Sequence, residues 1–370
     1  MNRMPAPLHT RLTTPAGYSL VEFLIAMGLL TLIMGATLAG LADVTRSNEM
    51  VMQMTSMNNG LRSGMDLIVR DLLQVGSGLP SGHNITIPSG GQAVRLPGPP
   101  GTTFTLPVTD TSIPAVIPGP GFGPPLNGVA TDVLTVLMAD NTFLNVALSA
   151  VSSTSVDILD LPGPNIATGP DRVSEGQLMM ISKGAQTTLV QVTNVNTSTR
   201  RLTFADGDSL RLNQSGGGIL GNLPSLNAAD PINSAAATNI TRVRMITYYI
   251  DATTDPRHPR LVRRINNGHP TTFNNTLGTA VALDMDNLQF TFDISNGTNN
   301  PGNVEMVAAD LGTGGACSPD ECAATQIRKV SVALTGRSRN AAIDSARILR
   351  NTLQSQVSLR GMAFVDRYRG

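Results

Sequence analysis

One uninterrupted apolar run constrains the fold of this chain more than any other feature. It begins at Tyr18 and continues to about Ala42, and its one charged side chain is Glu22. At roughly 24 residues, a helix of this length covers the hydrocarbon core of a bilayer, so the run predicts a membrane span over 18–42. A carboxylate inside such a span costs a few kcal/mol and therefore needs a partner or a function.

The residues before the run orient it. Residues 1–17 carry two arginines and the terminal amine but no acid, which predicts an N-terminus on the cytoplasmic side and the bulk of the chain outside. An ordinary secretory signal is the alternative, with the small residues Gly40 and Ala42 placed before a cleavage site at Asp43. The run exceeds the usual hydrophobic region of such a signal, about 7–15 residues, which favours a retained span.

The residues around Glu22 form a recognisable motif. Gly17-Tyr18-Ser19-Leu20-Val21-Glu22, followed by the apolar run, resembles the class III signal of type IV pilins and pseudopilins. The resemblance implies a leader peptide, 1–17, which a prepilin peptidase removes after Gly17 before it methylates the new amine of Tyr18. It also implies that Glu22 pairs with a free N-terminal amine during filament assembly. The family usually has Phe where this chain has Tyr18.

Such a pairing has a physical basis. An amine and a carboxylate are each costly in hydrocarbon, and together each offsets much of the other's desolvation penalty. The pair would fix the axial register between neighbouring helices, which a helical filament needs. The alternative is that Glu22 lies at the membrane edge and extends its carboxylate into water.

The helix is expected to continue beyond the span, over 43–75. Apolar residues recur there at steps of three or four and predict one buried face that packs on a sheet. They are Met50, Met54, Met57, Leu61, Met65, Ile68, Leu72 and Val75. Gly76 and Gly78 end the pattern, so Tyr18–Val75 is predicted to be one helix, half membrane anchor and half spine of a globular head.

The rest of the chain divides into a Pro/Gly-rich segment and a β-rich part. In 76–128, prolines exclude a regular helix or a central strand, and a long loop over the head or a flexible surface insertion is predicted. Residues 129–370 predict a β-rich extracytoplasmic head, so the fold class is α+β. The predicted strands cover 130–139, 142–150, 155–161, 177–182, 188–195, 201–205, 240–251, 260–266, 287–294, 327–336 and 355–364. Arg242 and Arg244 alternate with apolar residues, which predicts a strand with one wet face.

Several of these runs resemble the PilW family of minor pilins. The resemblance rests on TDVLTVLMAD, EGQLMMISKGAQTTLVQVTNV, the hairpin VRMITYYIDATTDPRHPRLVRRIN and the closing SQVSLRGMAF. That family has a recurring hairpin. It consists of a strand, two tyrosines, an acid, a loop and Leu-Val-Arg. Pseudopilin J of type II secretion shares the hairpin and is usually much shorter.

Two cysteines occur, Cys317 and Cys322, with four residues between them. A disulfide is predicted if this part of the chain lies outside the cytoplasm, with free thiols as the alternative. A zinc site would need two more ligands, and the histidines are scattered away from the pair. Neither a metal nor a cofactor is therefore expected.

Motifs for catalysis are missing from the sequence. It has no phosphate-binding loop, no zinc-protease helix and no nucleophile elbow, so an enzyme is not expected. Asp206-Gly207-Asp208 is similar to part of a calcium loop but lacks the later bidentate acid. Asp284 and Asp286 alternate with apolar residues and are predicted to line a solvated strand face.

A basic cluster lies in the hairpin beside two tyrosines. Its members are Arg257, Arg260, Arg263 and Arg264. Phosphate contact is one hypothesis, and a solvated hairpin with arginine stems packed over apolar surface is the other. With 26 basic and 26 acidic side chains, the chain has no net attraction to nucleic acid, and such binding is not expected.

These features predict a structural subunit, a minor prepilin of a type IV pilus that helps to initiate, cap or assemble the filament. The expected partners are the prepilin peptidase/methyltransferase, the major pilin, other minor pilins and, before assembly, lipid of the bacterial inner membrane. The head would lie in the periplasm and later on the pilus at the cell surface. Two alternatives remain, a type II secretion pseudopilin at the pseudopilus tip and a secreted binding protein with an ordinary signal peptide.

Overall fold

A computed structural model describes residues 17–80, 84–88, 90–160, 164–184, 186–214, 238–266, 278–295, 300–311, 314–318, 321–339 and 348–362. These residues form one long helix and a β-rich remainder, which is an α+β arrangement. The helix, α1, covers Leu20–Leu72. The strands are β1 Asn84–Thr86, β2 Arg95–Leu96, β3 Phe104–Thr105, β4 Ser112–Pro114, β5 Val116–Gly119, β6 Pro125–Leu126, β7 Val129–Ala130, β8 Val133–Ala139, β9 Val146–Val151, β10 Ser155–Ile158, β11 Leu178–Lys183, β12 Gln186–Gln191, β13 Asn194–Asn196, β14 Arg201–Thr203, β15 Asn239–Asp251, β16 Arg260–Ile265, β17 Thr279–Leu283, β18 Met285–Ile294, β19 Ile327–Arg337 and β20 Arg350–Ser358. Single 3₁₀ turns cover Ala324–Gln326 and Arg360–Met362.

The chain divides into two compact units, and the first, Met1–Gln53, contains the apolar part of α1. Its apolar side chains are exposed. By length and composition the helix could cross a membrane, a criterion that an N-terminal signal sequence also meets. Thr31, Thr37 and Thr45 each donate their hydroxyl to a carbonyl three or four residues earlier. Hydroxyls that are satisfied inside the helix cost less to place in lipid.

The predicted apolar face of α1 is buried within the second unit, Met54–Gly370. Its buried members are Met57, Leu61, Met65, Ile68, Leu72 and, just beyond the helix, Val75. Met54 is 40% exposed, so the buried face is shorter than the sequence pattern predicts. The buried members share one core with side chains of two sheets. Because burying a large apolar side chain contributes about 1.5–3 kcal/mol, this packing stabilises the last turns of the helix.

The larger sheet is built around β15, the longest strand. β15 pairs with β11 and β16 along one edge and with β9 and β8 along the other, always antiparallel. The prediction that this face of the strand is exposed to solvent was wrong for Arg242, which is 6% exposed. Its guanidinium donates to the Asp140 carboxylate at 2.9 Å and lies over the Phe143 ring. Paired in this way, the charge is compensated and can be buried in the strand.

The second sheet has the order β18-β19-β20. The solvated face predicted for this region was wrong for Asp286, which is 4% exposed and accepts hydrogen bonds from Arg337 and Arg350. Asp284 has a φ of 58°, and its carboxylate lies 2.6 Å from Nδ1 of His258. The alternating pattern therefore predicts the strand correctly. It does not predict the buried ion pairs of Asp286 with Arg337 and Arg350.

The Pro/Gly-rich segment, 76–128, packs against the larger sheet. Its described residues include six short strands, β1 to β6, which the sequence pattern did not predict. Ile85 and Ile113 are fully buried in a core that they share with residues of the larger sheet. Pro118 lies in β5, whose only recorded partner among the described strands is β8, and an edge strand tolerates proline. Of the two predicted arrangements, the segment corresponds to a loop packed on the head.

Close packing around Gly64 of α1 leads to a first prediction. A Cβ there would lie 2.9 Å from a methyl of Leu261 and 3.3 Å from one of Leu334. A Cβ at Gly60 would have no contact shorter than 3.7 Å. We expect Gly60→Ala to raise the free energy of unfolding by up to about 1 kcal/mol through helix propensity. Gly64→Ala should instead lower it by about 1 kcal/mol, because overpacking outweighs propensity. Thermal unfolding followed by circular dichroism measures both variants, and equal shifts would contradict the tight contact.

Candidate processing and assembly site

The predicted processing and assembly residues lie at the start of α1. Ser19 comes directly before the first helical residue, and Glu22 lies in the first turn. Oε2 of Glu22 accepts a hydrogen bond from the backbone N–H of Ser19 at 3.0 Å. The Ser19 hydroxyl accepts one from the backbone N–H of Val21 at 3.4 Å. The two side chains thereby satisfy N–H groups that a helix leaves unpaired at its beginning.

Sequence reasoning missed this role of Ser19. The spacing Ser-x-x-Glu before an apolar run is a known signal for a helix start and would have indicated it. Glu22 therefore has an intramolecular function in addition to the predicted pairing with an amine. A carboxylate offers about four acceptor positions, so one capping bond leaves capacity for a second partner. Among the described residues, Glu22 makes no ion pair.

No feature of the described fold requires glycine at position 17. A Cβ on Gly17 would meet no atom within 4 Å, and its φ lies outside the left-handed region. Tyr18 is 93% exposed, so the bond between the two residues is open to another molecule. Because no described contact requires glycine at this position, the residue is consistent with recognition by another protein. The remainder of the predicted leader, 1–16, lies outside the described residues.

The hairpin of β15 and β16 is joined to α1 by a buried acid. The Asp71 carboxylate accepts the hydroxyl of Tyr248 at 2.5 Å and Nε of Arg263 at 2.6 Å. Burial and the Asp71 charge raise the pKa of Tyr248 far above its usual range, so the hydroxyl remains a donor. Burial lowers the pKa of Arg263, but its interactions with Asp71 and Tyr248 together raise the pKa by more, so the guanidinium stays charged.

A second acid holds the turn of the same hairpin. The Asp251 carboxylate accepts bonds from the hydroxyls of Thr253 and Thr254 at 2.7 Å and from Nη2 of Arg260 at 2.9 Å. Burial alone would raise the pKa of Asp251, but these bonds lower it below its usual range. Arg260 and Arg263 thus bind acids of this chain, a role contained in neither hypothesis for the basic cluster.

The structure joins Cys317 and Cys322 in a disulfide with a Cα–Cα distance of 5.3 Å. Both residues are buried in the core that also contains the apolar face of α1. In the chain-entropy account, closing so short a loop stabilises the folded state by about 2 kcal/mol.

The calcium-like segment has a structural function in this fold. The Asp208 carboxylate accepts the backbone N–H groups of Leu212 and Asn213, each at 2.9 Å, and so holds the turn that follows it. Burial raises the pKa of Asp208, although these bonds oppose the effect. Within the described ranges, no group of three or more His, Cys, Asp or Glu side chains could hold a metal ion.

Comparison with known proteins gives no relative: no protein-family model, curated protein or solved structure matches this chain. The function is therefore argued from the residues and their geometry.

Proposed function

We propose that this chain is a minor prepilin of a type IV pilus. It is cleaved after Gly17 and N-methylated at Tyr18, and it helps to initiate, cap or assemble the filament. The observation that carries the proposal is the Glu22 carboxylate at the exposed start of an apolar helix, five residues after a glycine that the fold does not need. The cap accounts for Glu22 within one helix, but neither a plain membrane anchor nor a core helix needs a glycine at this distance before it.

The energetics of the helix start support an intermolecular role. Cleavage after Gly17 creates an amine that enters the same apolar environment as Glu22. Two separate charges in hydrocarbon each cost several kcal/mol, and an ion pair between neighbouring subunits removes much of that cost. The capping bond to Ser19 reduces the cost for Glu22 but contributes no cation.

The glycines of the apolar part of α1 also suit contact with other helices. Apart from its chain neighbours and the nearby backbone of the helix itself, a Cβ at Gly28, Gly35 or Gly40 would meet no described atom within 4 Å. Glycine inside a helix costs up to about 1 kcal/mol relative to alanine, and the described residues make no contact with these glycines that compensates for it. In lipid, small residues allow helices to approach closely, and a bundle of pilin helices provides such neighbours.

The proposed partners follow from this role. They are the prepilin peptidase/methyltransferase, the major pilin and other minor pilins, with the inner membrane holding the chain before assembly. A type II secretion pseudopilin would use the same helix start. Neighbouring genes distinguish the two systems, because a pilus locus encodes further minor pilins and a pilus motor, whereas a secretion locus encodes the secretion machine.

The processing step gives the direct test. Gly17→Ala should leave nearly all of the chain as full-length precursor in the membrane, because the peptidase requires glycine before the cleaved bond. Ala42→Leu is the matched control, because it blocks the alternative signal-peptidase site before Asp43 and should not affect cleavage after Gly17. Mass spectrometry of the wild-type N-terminus should show N-methyl-Tyr18. A mature chain that begins at Asp43 and is lost in Ala42→Leu would refute the proposal.

A further inference from the structure

A polar cleft of about 450 Å³ lies in the β-rich unit. One wall comes from the Pro/Gly-rich segment through Gly90, Gln92 and Arg95, and the other from the loop Asp206–Gln214 after β14. Along the sequence, the cleft residues are far from every residue that the proposed function uses. The cleft also shows where the Pro/Gly-rich segment lies in the fold.

The two walls are joined by the buried side chain of Gln214. Its Oε1 accepts the backbone N–H groups of Gly90 at 2.8 Å and Gln92 at 3.0 Å. Its Nε2 donates to the carbonyls of Gln92 at 2.9 Å and Arg211 at 2.8 Å. A Cβ at Gly90 would lie 2.4 Å from Cβ of Gln214, so only glycine permits this approach. The cleft is therefore preorganised by a fully bonded amide.

One lining arginine is held in an unfavourable backbone conformation. Arg211 has a φ of 55°, which costs a non-glycine residue on the order of 1 kcal/mol or more. Bonds on both sides of its backbone maintain it, from its own N–H to the carbonyl of Asp208 at 3.1 Å and from Gln214 to its carbonyl. Strain that the surroundings maintain is characteristic of binding sites.

The arginines of this cleft, one exposed and one half-buried, differ in their pairing from several arginines of the larger sheet. Elsewhere, buried or half-buried arginines such as Arg242, Arg260 and Arg263 pair with aspartates. Arg95 and Arg211 both line the cleft, and neither makes an ion pair with any of the residues that the structure describes.

Two acids also line the cleft, and they differ in what their charge can do. Asp208 directs both carboxylate oxygens to backbone N–H groups, which stabilise its charge without cancelling it. Asp206 is exposed and makes no ion pair with Arg95 or Arg211. The lining residues that the structure describes thus carry two positive and two negative charges, and no acid among the described residues binds Arg95 or Arg211.

We propose that this cleft binds a small hydrophilic anion, with Arg95 and Arg211 as the residues that hold its carboxylate or phosphate group. Guanidinium groups bind both oxyanions through paired N–H donors. The volume is that of a small-molecule site. Arg95 also lines an adjoining cleft of about 360 Å³ together with Pro99 and Phe104, so a sugar or similar body attached to the anionic group has room beside it.

The test uses the full chain, purified in detergent. Isothermal titration calorimetry measures its binding of inorganic phosphate, glucuronate, glucose 6-phosphate and glucose. At least one anion is expected to bind, and glucose is not. Tighter binding of glucose 6-phosphate than of phosphate would identify the anion as part of a sugar, and equal binding would identify a free oxyanion. Absence of binding by all three anions at concentrations up to about 10 mM overturns the proposal.

Variants assign the effect to the cleft. Arg95→Gln and Arg211→Gln should each weaken binding about tenfold, whereas Asp206→Asn, which removes an opposing charge, should strengthen it several-fold. Arg339→Gln is the matched control, because Arg339 is an exposed arginine that does not line the cleft. Equal affinities of the wild type and the Arg95→Gln/Arg211→Gln double variant would overturn the proposal. Circular dichroism establishes that each variant is folded.

Discussion

Glu22→Ala is expected to give a chain that is cleaved and methylated normally but is reduced at least tenfold in sheared filaments. The proposed cleavage site, after Gly17, lies before the substituted position, so processing should be retained. In the filament, the amine of Tyr18 would be left in hydrocarbon without its counter-charge, at a cost of several kcal/mol. Because each 1.4 kcal/mol corresponds to about a factor of ten, incorporation should fall strongly. Immunoblots of sheared filaments and of membranes, compared with the wild type, measure the ratio.

Two further variants separate pairing between subunits from helix capping within one. Glu22→Gln retains an oxygen that can accept the N–H of Ser19 but has no charge, so it should behave like Glu22→Ala. Ser19→Ala removes the other half of the cap and retains the Glu22 charge, so it should assemble nearly as well as the wild type. The reverse pattern, with Gln functional and Ser19→Ala defective, would show that Glu22 acts as a cap and would remove the main support for filament assembly.

Asp71→Ala should lower the free energy of unfolding of the head by about 3–5 kcal/mol. The substitution leaves the half-buried guanidinium of Arg263 without its acid and the buried Tyr248 hydroxyl without an acceptor, and breaking one partner of such a pair is strongly destabilising. Urea denaturation followed by circular dichroism measures the change.

Asp66→Ala is the matched control for this loss. Asp66 lies on the same helix but is exposed, so its removal should change the free energy of unfolding by no more than about 0.5 kcal/mol. Tyr248→Phe removes one charged hydrogen bond and should cost about 1.5–3 kcal/mol. If Asp71→Ala were as mild as Asp66→Ala, the buried network would not be what holds the hairpin to the helix.

The elements that could be predicted from sequence are those with a local periodic signal. The long helix follows from an apolar run and then from apolar steps of three and four, and each predicted strand run overlaps a strand. β17 was not predicted, since Thr279–Leu283 is short and lacks clear alternation. In the Pro/Gly-rich segment, strands of two to four residues are stabilised by contacts with the larger sheet, and no local pattern reports such contacts.

Charged side chains were the main source of wrong predictions. Asp71 and Arg263 are 192 residues apart, and Asp286 and Arg350 are 64 apart, so a sequence window shows each as an ordinary surface charge. A charged side chain can be buried at low cost in free energy only when the fold brings its partner of opposite charge beside it. The start of α1 is a different case, because the role of Glu22 in assembly stays a prediction, while the capping role that the nearby Ser19 indicates was missed.

The disulfide between Cys317 and Cys322 bears on when the folded core can be completed. Its two sulfur atoms lie among the apolar side chains that enclose the end of α1. Thiols stay reduced in the cytosol and are oxidised once they have left it. On the proposed route, this disulfide would form after export, so oxidation on the far side of the membrane would precede the entry of the subunit into a filament.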